Sequence, residues 1–125
     1  MTAAEIATFL SRPVNAVLTT LGADGYPHPT AMWFVKDGAS ILMWTYLKSQ
    51  KAVNLYRDPR CAFLVEDGIS YRELRGVMIR DRAELLERYE DIREIGIALY
   101  HLYTEPATGV DVMEGPIAEI ERQAA

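Results

Sequence analysis

Three β-type runs follow one another in the first half of the chain with only turns between them. That spacing restricts the possible folds more than any other feature. Residues 16–21 read Ala-Val-Leu-Thr-Thr-Leu, apolar and rich in β-branched side chains. Gly22-Ala23-Asp24-Gly25 turns the chain into a second run over residues 26–35, and Lys36-Asp37-Gly38 turns it into a third over residues 40–46. A parallel crossover needs about a dozen or more residues, so these strands are expected to pair antiparallel, as a meander. Pro27 and Pro29 cannot donate to a ladder, which makes the first half of the second run an edge or an irregular stretch.

The other elements are short. Thr2 and Glu5 have capping-box spacing ahead of Ile6, Phe9 and Leu10, which predicts a helix over residues 3–11. A second helix is expected from Ser49 to Arg57, with Ala52, Leu55 and Tyr56 on one face and Asp58-Pro59 ending it. Residues 61–65 are apolar on both faces and read as a central strand, followed by a turn at Asp67-Gly68. Over residues 74–86, Val77, Ile79, Ala83 and Leu85 alternate with polar positions, and Asp81 interrupts the inward set, which predicts a bulge. Ile92, Ile95, Ile97, Leu99 and Leu102 predict an amphipathic helix over residues 89–103, slightly weakened by Gly96. A loop over residues 105–109 and a polar helix over residues 116–123 complete the pattern. The expected fold is mainly β with flanking helices: an antiparallel small or half-open barrel in one domain, residues 1–125.

The net charge is −5, which argues against a general nucleic-acid binder. Residues 48–60 nevertheless hold Lys48, Lys51, Arg57 and Arg60 against Asp58, while residues 84–125 are strongly acidic. A basic island in an acidic chain suits a small anionic ligand better than a long polyanion. No apolar run is long enough to span a bilayer and no signal peptide is evident, so no membrane partner and a cytoplasmic location are expected. The single cysteine, Cys61, excludes an intrachain disulfide and is expected to be a buried, inert thiol. There is no glycine-rich nucleotide loop, no metal-ligand spacing around His28 or His101, and no nucleophile elbow. His28, between two prolines, reads more readily as a structural or rim residue than as a base, and no side chain is assigned a catalytic role.

The candidate site lies in residues 44–55, Trp-Thr-Tyr-Leu-Lys-Ser-Gln-Lys-Ala-Val-Asn-Leu. A strand end here feeds a helix capped by Ser49. A helix N-terminus offers unpaired N–H groups and partial positive charge. With the Ser49 hydroxyl and the Lys48 and Lys51 ammonium groups, it provides three kinds of phosphate ligand in one turn. The alternative is an ordinary cap with two solvated lysines. Trp33, Phe34, Trp44, Tyr46 and Tyr56 either pack the core or wall a planar ring beside that anion.

Residues 44–52 resemble the strand-to-helix phosphate motif of the pyridoxamine 5′-phosphate oxidase-like, FMN-binding split-barrel superfamily. Leu18 to Pro27 is similar to the opening hairpin of that family, and residues 54–60 and 74–84 are similar to its later segments. The resemblance covers about residues 5–103 and implies a split β-barrel forming a homodimer, with two cofactor sites at the subunit interface. It implies that Lys48, Ser49, Gln50, Lys51 and Asn54 belong to the phosphate side of the site. Trp44 and Thr45 line it, and the backbone of Thr30, Ala31, Met32 and Trp33, continuing to Phe34, faces the ring. The implied cofactor is FMN or the deazaflavin coenzyme F(420), and the implied activity is hydride transfer to a small conjugated organic substrate. A non-catalytic carrier or sensor, or a pyridoxal-phosphate-handling protein, are the other readings. The C-terminal substrate-binding strand and arginine of true pyridoxamine phosphate oxidases have no counterpart here, so that specific activity is not expected.

Overall fold

The computed structural model describes residues 1–104; the loop and polar helix expected beyond Thr104 lie outside the described residues. The elements are α1 (Ala3–Phe9), β1 (Ala16–Leu21), β2 (Pro27–Met32), β3 (Val35–Asp37), β4 (Ser40–Leu42), α2 (Gln50–Arg57), β5 (Arg60–Asp67), β6 (Arg75–Arg82) and α3 (Tyr89–Thr104). Four strands form one antiparallel sheet in the order β2-β1-β5-β6, and β3-β4 form a separate hairpin. The architecture is therefore mainly antiparallel β with flanking helices, as expected. No ladder joins the hairpin to the sheet, so the three-stranded meander of the sequence reading divides in two.

The division has a local cause. Continuing the β1–β2 register beyond Ala16↔Met32 would set Val14 opposite Phe34, and continuing β3–β4 beyond Val35↔Leu42 would set Phe34 opposite Met43. The Tyr103 hydroxyl occupies that junction. It accepts the Phe34 N–H (3.0 Å) and lies 2.7 Å from the Val14 carbonyl and 3.0 Å from the Phe34 carbonyl, to which it donates. Both ladders stop where one side chain from α3 answers the backbone groups that a strand would have answered. The expected second strand over residues 26–35 is thus cut at Trp33-Phe34, and the expected third strand over residues 40–46 ends at Leu42.

The other elements follow the local chemistry. The Thr2–Glu5 capping box is present in both directions. Proline-bearing β2 lies at a sheet edge, and β5 is central, between β1 and β6. The register places Thr30, Leu18, Phe63 and Ile79 in one row and Met32, Ala16, Val65 and Val77 in the next, on the same face. Phe9, Leu10 and Phe34 cover that face, and Phe34 meets Phe63 edge-on at 5.0 Å. The β5–β6 ladder runs unbroken from Arg60↔Arg82 to Asp67↔Arg75, so the bulge expected at Asp81 is absent. Asp81 is an inward polar residue in a regular strand. Gly68 has φ +104° in the turn between these strands, and a Cβ there would lie 2.4 Å from the Glu73 carbonyl oxygen, so only glycine fits.

A cluster at the base of the sheet ties α1 to the β5–β6 hairpin. The Asp67 carboxylate accepts from Arg12 (2.7 Å) and Arg75 (2.8 Å), and both guanidinium groups lie over the Phe9 ring. On α3, Ile95, Gly96, Leu99 and Tyr100 form the buried stripe. Gly96, read from the sequence only as a weak point, belongs to that packed surface.

Tyr103→Phe should destabilise the fold by about 1–3 kcal/mol, because Phe34 and Val14 lose a partner while the ring remains. Tyr26→Phe, at a ring 74% exposed, should change stability by less than about 0.5 kcal/mol. Denaturant unfolding of both variants checks this; equal effects would show that the hydroxyl does not hold the junction.

Candidate functional site: the start of α2 and the cleft beside it

Helix α2 begins where the sequence predicts. Ser49 has extended backbone geometry at the cap, and its Oγ accepts the Ala52 N–H at 3.3 Å. The Val53 N–H bonds to the Ser49 carbonyl at 3.0 Å. The amides of Gln50 and Lys51 remain as the open donors of the first turn, with no carbonyl one turn behind them. Thr45 Oγ1 lies 3.1 Å from Ser49 Oγ, which joins two hydroxyls into a donor–acceptor pair at the helix start. The Ser49 N–H bonds to the Tyr46 carbonyl at 3.0 Å, so residues 46–49 form a tight turn rather than a direct strand-to-helix junction.

The position of α2 against the sheet is set by a side chain that sequence reasoning assigned to the ligand. Asn54 is 0% exposed; its Nδ2 donates to Thr20 Oγ1 at 3.0 Å, and its Oδ1 accepts from Gln50 Nε2 at 2.8 Å. Asn54 is therefore a packing residue of the helix–sheet contact, with its amide groups bonded to Thr20 and Gln50. Of the face expected to hold Ala52, Leu55 and Tyr56, Ala52 and Leu55 are buried while Tyr56 is 54% exposed. Arg57 Nη2 donates to the Leu21 carbonyl, a second tie from α2 to β1.

A cleft of about 390 Å³ opens beside this helix start. Met32, Leu18, Phe63 and Ile79 form its sheet wall; Met43 and Thr45 border it from the segment after β4; Lys51 reaches it from α2. Lys51 is half-buried, whereas Lys48 and Gln50 are exposed. Of the residues expected to surround a ring, Met32 lines the cleft. Thr30 is half-buried in β2 with Oγ1 donating to the Leu18 carbonyl (3.2 Å), and Ala31 faces the opposite side of the sheet. Trp33 stacks on Tyr103 with centroids 4.6 Å apart, and Phe34 is a core residue, 0% exposed, with its backbone held by Tyr103. The outer edge of β2 has no strand beside it among the described residues, so part of its backbone remains open.

Sequence reasoning missed the far wall. Asp81, Arg82 and Glu84 border the same cleft from β6 and the residue run after it. The signal was the polar Asp81 in an inward position, which was read as a bulge. Cys61 also faces the cleft; burial, then Asp81, push its thiol pKa up, which favours the neutral, unreactive form.

One buried donor in the segment before the helix is unanswered, although its residue is not part of the cleft lining. The Trp44 indole Nε1 is buried and has no hydrogen-bond acceptor among the described residues. A buried donor without a partner is costly, and this one lies in the residue preceding Thr45. Open amides, a hydroxyl pair and a half-buried ammonium compose a donor-rich set at the helix start, with Asp81 and Glu84 across the cleft on its far wall. That chemistry fits a phosphorylated heterocycle. Among the described residues no group of three or more His, Cys, Asp or Glu side chains could hold a metal ion. No helix among them is long and apolar enough to cross a membrane.

Fold and site together define an antiparallel-sheet protein with a donor-rich helix start packed against strand β1 beside a cleft. The sequence profile described as pyridoxamine 5′-phosphate oxidase matches residues 2–122, and the chain belongs to that family. No curated protein matches the sequence. Among solved structures, the chain is similar to the conserved hypothetical protein Rv2991 from Mycobacterium tuberculosis, with 41% identity and a TM-score of 0.85 over 98% of this chain and 76% of that one. It is also similar to an F(420) reductase, with 28% identity and a TM-score of 0.67 over 81% of this chain and 78% of that one. The heme storage protein HutZ from Vibrio cholerae shares the fold at 18% identity and a TM-score of 0.67, over 92% of this chain and 80% of that one.

Acid should weaken the fold through two carboxylates. Hydrogen bonds from Arg60 hold Asp58 at about 2, below its ordinary 3.8, and Arg75 and Arg12 hold Asp67 below its usual range. Both groups are less readily protonated when folded, so their contribution is present above about pH 4 and lost as pH falls towards about 2. Thermal melts across that window should show a decline that is shallower in Asp58→Asn/Asp67→Asn; an unchanged slope would assign the acid sensitivity elsewhere.

Proposed function

We propose that this protein is a cofactor-dependent oxidoreductase that binds FMN or the deazaflavin coenzyme F(420) and acts on a small conjugated organic substrate. The observation that carries this reading is the donor set at the start of α2: the Gln50 and Lys51 amides, the Ser49 and Thr45 hydroxyls and the half-buried Lys51 ammonium. Family membership and the similarity to an F(420) reductase support it. Ser49, Gln50 and Lys51 would hold the phosphate, with Lys48 adding long-range attraction from an exposed position. Trp44 and Thr45 would border the group, and the open edge of β2 at Thr30 to Trp33 would face its ring. A flavin or deazaflavin held there supplies hydride transfer. The protein positions that group and excludes water.

The split-barrel form and the homodimer belong to the same proposal. The sheet face away from the core carries one continuous apolar row: Ala31, Val17, Leu64 and Met78 stand side by side across all four strands. Val17, Leu64 and Met78 are 37%, 40% and 62% exposed. A second copy of the chain covering this row would bury it and bring the β2 edges near the interface.

Titration of the purified protein with FMN and with oxidised F(420), read by fluorescence, should give saturable binding of one of them. Lys51→Ala should weaken it by about tenfold to a hundredfold, the loss of one charge-assisted phosphate contact of about 1.5–3 kcal/mol. Unchanged affinity in Lys51→Ala would misplace the site. Tight binding without turnover towards any electron-poor acceptor would make the protein a carrier instead. Light scattering should show a dimer, and Leu64→Asp should shift it to monomer; a wild-type monomer with full cofactor affinity would overturn the interface.

A further inference from the structure

We infer that the outward face of β5 and β6 holds a second anion site, separate from the start of α2, which takes a small ligand with two neighbouring phosphate or carboxylate groups. Arg60 and Arg82 stand directly opposite each other in the ladder, and Arg80 opposite Ala62 lies on the same face two residues along β6. Like charges directly opposite in a ladder are unfavourable. Asp58 answers one of them, its Oδ2 lying 2.7 Å from Arg60 Nη2. No hydrogen bond or ion pair from the Arg80 or Arg82 guanidinium to a carboxylate is formed among the described residues, and Asp81 between them points to the other face, towards the cleft.

The three arginines border one open groove of about 590 Å³, floored by Thr19 and Ala62. Asp81 also belongs to the lining, although its place in the ladder sets it on the face opposite Arg80 and Arg82. The Cα atoms of directly opposite residues lie about 5 Å apart, and residues two along a strand about 7 Å apart. Asp58 holds the Arg60 fork through Nε and Nη2, so the two forks left for a ligand are those of Arg80 and Arg82, and at that separation they match two oxyanion groups on one small molecule, each able to accept in bidentate fashion. A long polyanion is disfavoured because the cluster covers only two strands of a chain whose net charge is −5. Arg82 also borders the cleft on the core side, so a ligand seated here touches the rim of the proposed cofactor site without sharing its donors.

The site does not depend on the cofactor reading, and the test separates them. In a Lys51→Ala chain, calorimetric titration with inorganic diphosphate and with succinate, at matched ionic strength, should still show saturable binding of at least one. Adding Arg80→Gln and Arg82→Gln should raise that dissociation constant by about tenfold or more. Arg80→Lys with Arg82→Lys should lose less, since charge remains while the fork is gone; this pair serves if the glutamine variant does not fold. The tighter of the two probes names the ligand as a phosphate or a carboxylate compound. No saturable binding in the Lys51→Ala chain, or binding indifferent to the arginine changes, would overturn the site. Failure of the cofactor reading would show instead in the FMN and F(420) titrations of the wild-type chain.

Discussion

The hydroxyl of Tyr103 is the constraint on which the arrangement depends. It stands where strand β1 would have met the end of β2 and where β3 would have met the residue after β4, and it bonds the Phe34 N–H, the Phe34 carbonyl and the Val14 carbonyl. A single side chain from the last described helix thereby ends two ladders at once. The chain then leaves the sheet, forms the β3–β4 hairpin, and returns over the core as residues 43–49. Without that interruption the alternation of residues 26–46 would favour two long strands and a continuous meander. Tyr103 also carries the stacked Trp33, so the same residue that cuts the strand fixes the aromatic beside the cut. Burial raises the Tyr103 pKa, which keeps the proton that the hydroxyl donates.

A second buried contact transmits this arrangement to the site. Thr20 and Asn54 are both almost fully buried and bond to each other, so α2 is held against β1 by a buried polar pair, with Arg57 bonding the Leu21 carbonyl nearby. A satisfied buried polar pair specifies position more sharply than apolar packing, because a displaced helix would leave both groups unanswered. The helix start, with its open amides, is held beside the cleft by that pair. The donors at the start of α2 are thus presented by a rigid element, while Lys48 and Gln50 lie at the solvent side of the same turn.

Much of the fold was legible because its determinants are local. The Thr2–Glu5 capping box, the Ser49 cap, the Asp58-Pro59 stop and the Asp67-Gly68 turn act within a few residues, and each appears where its chemistry predicts. The placement of β2 at an edge followed from Pro27 and Pro29, since a residue without an N–H cannot serve a central strand. The capped helix start was legible for the same reason at Ser49. The role of Asn54 was not legible, because its amide reads equally as a ligand group or as a buried partner until Thr20 is placed opposite. Asp81 failed similarly: a polar residue in an inward position signals either a bulge or a cleft, and only strand register tells them apart.

The amino-acid sequence by itself determined the order of the elements, their antiparallel character, the capped start of α2 and the basic island around it, because turns, caps and charge counts are properties of neighbouring residues. The tertiary structure alone decided where the second and third strands stop, which side of β6 faces the cleft, and that Asn54 packs against Thr20. It alone set Arg60 opposite Arg82. Those outcomes rest on partners more than twenty residues away, Tyr103 with Phe34, Thr20 with Asn54 and Arg60 with Arg82, and no local propensity encodes which distant group will answer a given N–H or carbonyl.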